Sequence, residues 1–338
     1  MTVSALIVGC SGVELTSDEK AFFREADPWG FILFKRNCEE PEQVRRLVDA
    51  MRDTVGRGEA PVLIDQEGGR VQRLKPPHWP TYPAGRRFGE LFERDPERGR
   101  RSLYNVTRLL AEDLATLGIT VDCMPVLDIP VPGAHDVIGD RAYARDPETV
   151  ALLGRLVCEA LLDGGVLPVI KHVPGHGRAG VDSHLSLPVV ETSADELRAT
   201  DFAPFKALAD MPLAMTAHVV YTALDPERPA TTSPQVIGEV IRREIGFDGL
   251  LMSDDLSMQA LAGSFADRMG GCLAAGCDVG LHCNGAMAEM VEVAKVAPPL
   301  EGEAMRRAEG ALARRKAPLP FDRDAALADL AVLMPESV

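Results

Sequence analysis

Eight short apolar segments recur along the chain, and they constrain its fold more than any other feature. They lie at 5–10, 31–34, 61–65, 120–124, 167–172, 213–218, 249–254 and 277–283. Amphipathic, helix-like stretches separate them, an alternation that indicates parallel strands covered by helices. Eight is the strand number of an α/β fold of the (β/α)8 TIM type. An open doubly wound sheet has the same alternation, so periodicity alone leaves both folds open.

Three of the stretches between these segments have recognisable helical patterns. Residues 41–55 and 102–118 are amphipathic, with Gly118 as the expected cap of the second, and residues 194–208 are expected to form a helix that begins near Ser193. No linker, short repeat or low-complexity tract interrupts the 338 residues. One catalytic barrel domain over 1–338 is therefore expected.

The composition excludes several classes of partner. The formal net charge of -15 offers no basic surface to nucleic acid or to an anionic membrane. The apolar runs are far shorter than the roughly 18 residues that span a bilayer, and the first residues lack the basic region of a secretion signal. We expect a cytoplasmic protein that binds neither nucleic acid nor membrane, with a monomer as the default.

The seven cysteines indicate buried thiols rather than disulfides, because their number is odd and their surroundings are mostly apolar. The densest group of metal-binding residue types comprises Cys272, Cys277, His282 and Cys283. It contains no C-x-x-C pair, so neither a zinc site nor any other cofactor is expected.

Polar residues stand where the apolar segments end. They are Asp65, Asp128, Lys171, His172, His218 and Asp254. A single polar residue at a strand end can simply cap a loop. Six of them in equivalent positions favour an enzyme, because the carboxyl ends of barrel strands converge on the face where such proteins carry their chemistry.

The segment "LMSDDLSMQAL" (251–261) carries two adjacent carboxylates. Asp255 is expected to be the N-cap of a following helix. Asp254, at the end of the strand, is better placed to face a pocket. There it could be a nucleophile, a metal ligand or a hydrogen-bond anchor.

The segment "IKHVPGHGRAGVDSHLSLP" (170–188) holds three of the seven histidines. If it is locally extended, Asp182 and His184 lie on one side and can form an acid/base dyad, with Ser183 turned away. The alternative is a turn in which Asp182 binds backbone amides. The glycines disfavour the helix that a zinc H-E-x-x-H site needs, and the pattern matches no phosphate-binding motif. They indicate a mobile loop that closes over a substrate.

Carboxylates and arginines are also concentrated in "DQEGGRVQRL" (65–74) and "IGDRAYARDP" (138–147). Such groups around a pocket can bind the hydroxyls of a sugar, whereas surface ion pairing is the alternative for each of them.

These motifs, together with "PVLDI", "KHVPGHG", "DSHLSLP" and "LMSDDLSM", occur in an order that resembles the bacterial β-N-acetylglucosaminidases of glycoside hydrolase family 3, the NagZ type. The resemblance implies a (β/α)8 barrel and a retaining hydrolysis of terminal β-linked N-acetylglucosamine. It matches Asp254 to the nucleophile, and His184 to the general acid/base with Asp182 as its partner. The positions that would hold the sugar are Asp65, Arg73, Arg141, Lys171 and His172.

The resemblance also implies a small carbohydrate substrate, N-acetylglucosaminyl-1,6-anhydro-N-acetylmuramic acid or its muropeptides, in peptidoglycan recycling. Val173 departs from the family pattern, in which phenylalanine is usual. A phosphorylase on the same scaffold is an alternative, because a histidine acid/base would not repel phosphate. A metal hydrolase and a catalytically silent sugar-binding protein are the others. The silent protein is disfavoured because Asp254, Asp182 and His184 are all present.

Overall fold

A closed barrel of eight parallel strands forms the centre of the computed structural model, which describes residues 3–183 and 186–334. The barrel strands are β1 (Ser4–Val8), β2 (Pro28–Leu33), β3 (Val62–Ile64), β4 (Val121–Asp122), β5 (Leu167–Val173), β7 (Leu213–Thr216), β9 (Leu250–Asp255) and β10 (Val279–His282). The barrel closes because β1 pairs with both β2 and β10. The predicted (β/α)8 fold is therefore confirmed, and the open sheet is excluded.

Alternation along the strands divides the apolar residues into two layers. One buried cluster contains side chains from all eight barrel strands, such as Leu63, Val169 and Met252, and it fills the barrel interior. The strand residues that alternate with these, such as Ile64 and Ile170, belong to a second cluster that packs against the helices. Successive side chains of a strand point to opposite faces, so both faces of each strand are buried.

Eleven α-helices lie in the described part of the chain. They are α1 (Ser17–Ala26), α2 (Pro41–Val55), α3 (Gly85–Arg94), α4 (Pro96–Thr116), α5 (Pro147–Asp163), α6 (Ala194–Ala199), α7 (Phe202–Ala207), α8 (Phe265–Ala275), α9 (Met287–Ala294), α10 (Gly302–Ala313) and α11 (Arg323–Leu333). A π-helical segment spans Val236–Ile245. Helix α2 has the predicted bounds because Pro41 begins it and Gly56 ends it at a φ of 65°.

Two helix predictions were wrong. The helix expected over 194–208 begins after Ser193 as predicted but is divided into α6 and α7. If one helix continued through this segment, the ring of Pro204 would clash with the carbonyl of Thr200, and Pro204 has no N–H that could bond to that carbonyl. Asp255 caps no helix, because turns follow β9 and the next helix, α8, begins after its own N-cap, Ser264.

The sequence did not predict β6 (Val189–Val190) and β8 (Val220–Tyr221), which pair in parallel outside the barrel. Both strands have only two residues, too few for a periodic signal.

All seven cysteines are free thiols, and Cys38 alone among them is half-buried while the others are buried.

Within residues 3–183 and 186–334, no helix combines the length and the apolar character that crossing a membrane requires.

Candidate active site

A cavity of about 240 Å³ opens at the carboxyl ends of the barrel strands. Six of the eight residues predicted to act in catalysis or to bind the sugar line it: Asp65, Arg73, Arg141, Lys171, His172 and Asp254. The structure therefore brings together residues that are as much as 189 positions apart, Asp65 and Asp254. This is the face on which barrel enzymes place their catalytic residues.

Strand alternation explains why the charged side chains point into the barrel. Leu63, Val169 and Met252 fill its interior, and Asp65, Lys171 and Asp254 each follow two positions later. Residues two apart on a strand share a face. The inward-facing side chains that follow the apolar interior toward the carboxyl ends of the strands are therefore charged, and they line the cavity.

Lys171 is the centre of the charged group. Its side chain is only 2% exposed, and its Nζ lies 3.0 Å from Asp65 Oδ1 and 2.6 Å from Glu67 Oε1. Burial alone would lower the pKa of Lys171, but the two carboxylates hold it above its usual range. Burial would likewise raise the pKa of Glu67, yet Arg141 and Lys171 lower it to about 2. Against the effect of burial, Lys171 and Arg73 likewise hold the pKa of Asp65 well below its usual range. Lys171, Asp65 and Glu67 are therefore all charged at neutral pH.

Two arginines complete this group. Arg141 binds Glu67 with two hydrogen bonds of 2.8 Å, from Nε and Nη2. Arg73 Nη2 donates to Asp65 Oδ2 at 2.9 Å, and its guanidinium lies 4.9 Å from the centre of the Phe34 ring. Paired, planar guanidinium groups of this kind are held in fixed positions, as recognition of a polar ligand requires.

Asp128 orients His172. The carboxylate is completely buried, and its Oδ2 lies 2.7 Å from His172 Nδ1. Its other oxygen accepts hydrogen bonds from the backbone N–H of His172, at 3.2 Å, and of His176, at 2.6 Å. Asp128 thus fixes the ring of His172 and leaves its Nε2 available to a ligand in the cavity.

The two carboxylates at the end of β9 have different surroundings. Asp255 accepts hydrogen bonds from the backbone and hydroxyl of Ser257 and from the backbone N–H of Cys283. Its side chain therefore fixes the turn after the strand. Asp254 is half-buried, and its Oδ1 accepts the backbone N–H of Asp255 at 2.7 Å. Of the two, Asp254 is the one that strand alternation directs into the barrel.

The loop after β5 begins at the cavity and then reaches the surface. Gly177 packs against Ile129, where an added Cβ would lie 2.0 Å from the carbonyl oxygen, so only glycine fits. Ser183 is buried, lines the cavity and lies 3.1 Å from His176 Nε2. Asp182 is half-buried. His184, the predicted acid/base, lies outside the described residues.

Sequence reasoning assigned no individual role to three residues that organise this cavity, although Glu67 stood in a segment expected to bind sugar hydroxyls. Glu67 joins Lys171 to Arg141, Asp128 orients His172, and His176 contacts Ser183. Asp128 stands among the polar strand ends, which was a usable signal. His218, which shares that signal, is fully buried and hydrogen-bonded to Thr231 Oγ1 and to the carbonyl of Asp255, so its role is structural.

The cysteine and histidine group at 272–283 forms no metal centre. Cys272 Sγ donates to the carbonyl of Met269, whereas His282 Nε2 lies 3.0 Å from Asn284 Oδ1. In the described part of the chain, no three His, Cys, Asp or Glu side chains are grouped so that they could hold a metal ion.

Known proteins are similar to this chain in both sequence and fold. Residues 11–314 match the family described as glycosyl hydrolase family 3 N terminal domain. A β-hexosaminidase from Alkalilimnicola ehrlichii is 40% identical over 288 residues, 84% of this chain and 82% of the relative. One from Pseudomonas aeruginosa is 37% identical over 310 residues, 89% of this chain and 90% of the relative.

The crystal structure of NagZ from Neisseria gonorrhoeae superposes with a TM-score of 0.88 at 32% identity and covers 98% of both chains. The same protein in complex with N-trifluoroacetyl-D-glucosamine gives the same TM-score, identity and coverage. By sequence and by fold, the chain therefore belongs to glycosyl hydrolase family 3, in the group that includes the curated β-hexosaminidases.

Proposed function

We propose that this β-hexosaminidase is a retaining exo-β-N-acetylglucosaminidase that works through a covalent glycosyl-enzyme intermediate. The observation that carries the proposal is the position of Asp254. A carboxylate at the end of β9 faces the same cavity as the charged group around Lys171. A nucleophile and a set of fixed donors and acceptors for hydroxyl groups are what cleavage of a terminal sugar needs.

In the proposed first step, Asp254 attacks the anomeric carbon from the α face as the bond to the β-linked oxygen breaks. His184, paired with Asp182, gives its proton to the departing oxygen. In the second step His184 takes a proton from water, whose oxygen attacks from the β face and releases Asp254. Two inversions retain the β configuration. The proton donor would be an imidazolium rather than the second carboxyl group of most retaining enzymes.

The charged residues of the cavity would hold the sugar. Asp65 can accept hydrogen bonds from hydroxyl groups, whereas Lys171, Arg73 and Arg141 can donate to them. Because these charges are already paired with one another, they are fixed before the substrate arrives, and little reorganisation accompanies binding. The volume of about 240 Å³ suits one sugar unit better than a long oligosaccharide.

Incubation with an aryl β-N-acetylglucosaminide, followed by proton NMR of the first-formed product, tests this function. Release of β-N-acetylglucosamine before mutarotation is expected. The α anomer would exclude a retaining mechanism, and no reaction would exclude the substrate class. A sugar phosphate that forms only when inorganic phosphate is added would identify a phosphorylase instead.

We expect Arg141→Ala to lower kcat/KM for this substrate by about tenfold or more, since a hydrogen bond to a charged group contributes about 1.5–3 kcal/mol. Arg141→Lys is the matched control, because it keeps the charge but loses the fork that binds Glu67. Partial recovery in the lysine variant is expected. An unchanged kcat/KM in both variants would place Arg141 outside the sugar site.

His184→Ala should affect substrates according to their leaving group. An aryl glycoside with a very acidic phenol needs little protonation, so its first step should continue while the intermediate accumulates. An alkyl glycoside needs the proton in the first step and should lose about 100-fold or more. Azide should restore turnover of the aryl substrate and give a β-glycosyl azide. Equal losses on both substrates, without this azide, would show that His184 only supports the loop.

For the natural substrate we propose N-acetylglucosaminyl-1,6-anhydro-N-acetylmuramic acid and its muropeptides in the cytoplasm, with the single barrel as the complete catalytic unit. Purified protein should release N-acetylglucosamine from this disaccharide, as measured by chromatography with mass spectrometry. Chitobiose cleaved much faster than the anhydro disaccharide would contradict this assignment. Activity recovered only in the membrane or secreted fraction of cells would contradict the location.

A further inference from the structure

We propose that Asp122 is a positioning residue of the sugar site and that it performs this role as a neutral, protonated carboxyl group. This inference rests on the proposed function, because its effect is read through the residues that would bind the sugar. Asp122 itself does not line the cavity. It contacts the turn that follows β3. This turn carries Asp65 and Glu67, the two carboxylates that bind Lys171.

Strand register places Asp122 on the outer side of the barrel wall. It pairs with Ile64 across β3 and β4, and Ile64 belongs to the layer that packs against the helices. Gln66 lies two positions after Ile64 and shares that side, whereas Asp65 points inward to the cavity. The backbone N–H of Gln66 donates to Asp122 Oδ1 at 3.0 Å.

Gln66 connects Asp122 to both ends of the segment at 65–74, which carries side chains of the cavity. Asp65 and Glu67 are its immediate neighbours. Its side-chain Oε1 accepts the backbone N–H of Arg73 at 2.8 Å and that of Leu74 at 3.0 Å. A shift of Gln66 would therefore move Asp65, Glu67 and Arg73 together, and all three line the cavity. The acceptor on Asp122 thus sets the position of three side chains of the site.

The surroundings of the Asp122 carboxyl group favour its neutral form. The residue is completely buried, and its Oδ2 has no hydrogen-bond partner among the described residues. The charged and titratable groups that act on it from neighbouring segments are Asp65, Glu67, Lys171, Cys123 and Tyr143. Burial raises the pKa of Asp122 to about 8. The hydrogen bond from Gln66 N–H and the ammonium of Lys171 lower this pKa, whereas the carboxylates of Asp65 and Glu67 add to the rise, and the effect of burial is the largest.

Ionisation would add a third negative charge near those of Asp65 and Glu67, which would repel it across the barrel wall. The new charge would also be left with one unpartnered oxygen, a costly arrangement in a buried site. The expected consequence is a loss of sugar binding as the pH rises through about 8. A single ionisation that inactivates the site reduces kcat/KM about tenfold for each further pH unit.

The test measures kcat/KM against pH for an aryl β-N-acetylglucosaminide with a very acidic phenol, because this substrate does not depend on His184 as an acid. The wild-type protein should lose activity above pH about 8. Asp122→Asn keeps an oxygen for Gln66 N–H and cannot ionise, so its profile should stay level there. Asp122→Leu lacks the acceptor and should lose about tenfold at every pH, with thermal melts showing whether it is folded.

Asp113→Asn is the matched control. Asp113, on α4, is a half-buried carboxyl group whose pKa is also raised, to about 6, but it accepts a hydrogen bond from the hydroxyl of Tyr82 and does not line the cavity. This variant should keep the wild-type profile. An alkaline decline that persists in Asp122→Asn, or its absence from the wild-type protein, would overturn the inference. Failure of the wild-type protein to cleave the substrate at any pH would instead overturn the proposed function.

Discussion

Replacing Asp254 with alanine is expected to reduce turnover of an aryl β-N-acetylglucosaminide by roughly 10⁴-fold or more, because the atom that would form the bond to the sugar is removed. The structure gives this carboxylate its orientation through the alternation of β9 and through a hydrogen bond from the backbone N–H of Asp255. Steady-state kinetics, with circular dichroism to show that the variant is folded, measure the effect.

Two further measurements distinguish a nucleophile from a binding carboxylate. A slow 5-fluoro glycoside should label the wild-type peptide that carries "SDDLSM" at Asp254. In Asp254→Ala, azide should enter the space of the lost side chain and give an α-glycosyl azide, the opposite anomer to that expected for His184→Ala. Asp255→Asn is the neighbouring control and should still be labelled at Asp254. Label on Asp255, or no α azide, would contradict the assignment.

Lys171→Met should destabilise the protein by about 3–5 kcal/mol, the usual effect of removing one partner from a buried ion pair. The ammonium is 2% exposed and lies between Asp65 and Glu67, which would repel each other without it. Urea unfolding followed by circular dichroism gives the free energy of unfolding. Adding Glu67→Gln to this variant should recover part of the loss, because one of the unpaired charges is removed. A free energy equal to that of the wild type would contradict the contacts of Lys171.

The same variant should change how stability depends on acid. Lys171 and Arg141 lower the pKa of Glu67 from 4.5 to about 2, and Lys171 and Arg73 hold that of Asp65 well below its usual range, each against the effect of burial. These carboxylates therefore stabilise the fold above pH about 4.5, and their contribution is lost as the pH falls towards 2. Without Lys171 their pKa values rise, so Lys171→Met should lose less stability over this interval.

The fold was predictable because its strands carry a strong local signal. Both faces of each barrel strand are buried, so the segments are almost continuously apolar, and Pro41 and Gly56 mark the ends of α2. The division between α6 and α7 was less visible, although Pro204 contained the necessary information. The pairing of β6 with β8 joins two-residue strands that are 31 positions apart, Val189 and Val220, which no local pattern could indicate.

The candidate site was only partly predictable for a related reason. Strand ends identified Asp65, Lys171 and Asp254, because alternation alone decides where these side chains point. Glu67 lies in the loop after β3 and Asp122 lies on β4, and neither is individually distinguished from the many other acidic residues of the sequence. Their roles depend on contacts with Lys171, Arg141 and Gln66, which are distant or backbone partners. Such contacts exist only after the barrel closes, so a linear sequence contains no signal of them.

The pairing of the first barrel strand with the last has a consequence for the newly made chain. Leu6, Ile7 and Val8 of β1 lie beside Gly280, Leu281 and His282 of β10, so one edge of β1 has no partner until translation has passed residue 282. A growing chain would expose this apolar edge until β10 has been made, and exposed edges pair readily with other chains. A fragment that ends before β10 therefore keeps an unpaired apolar edge and cannot close the barrel that positions the site, so closure of the site and protection from aggregation are acquired together.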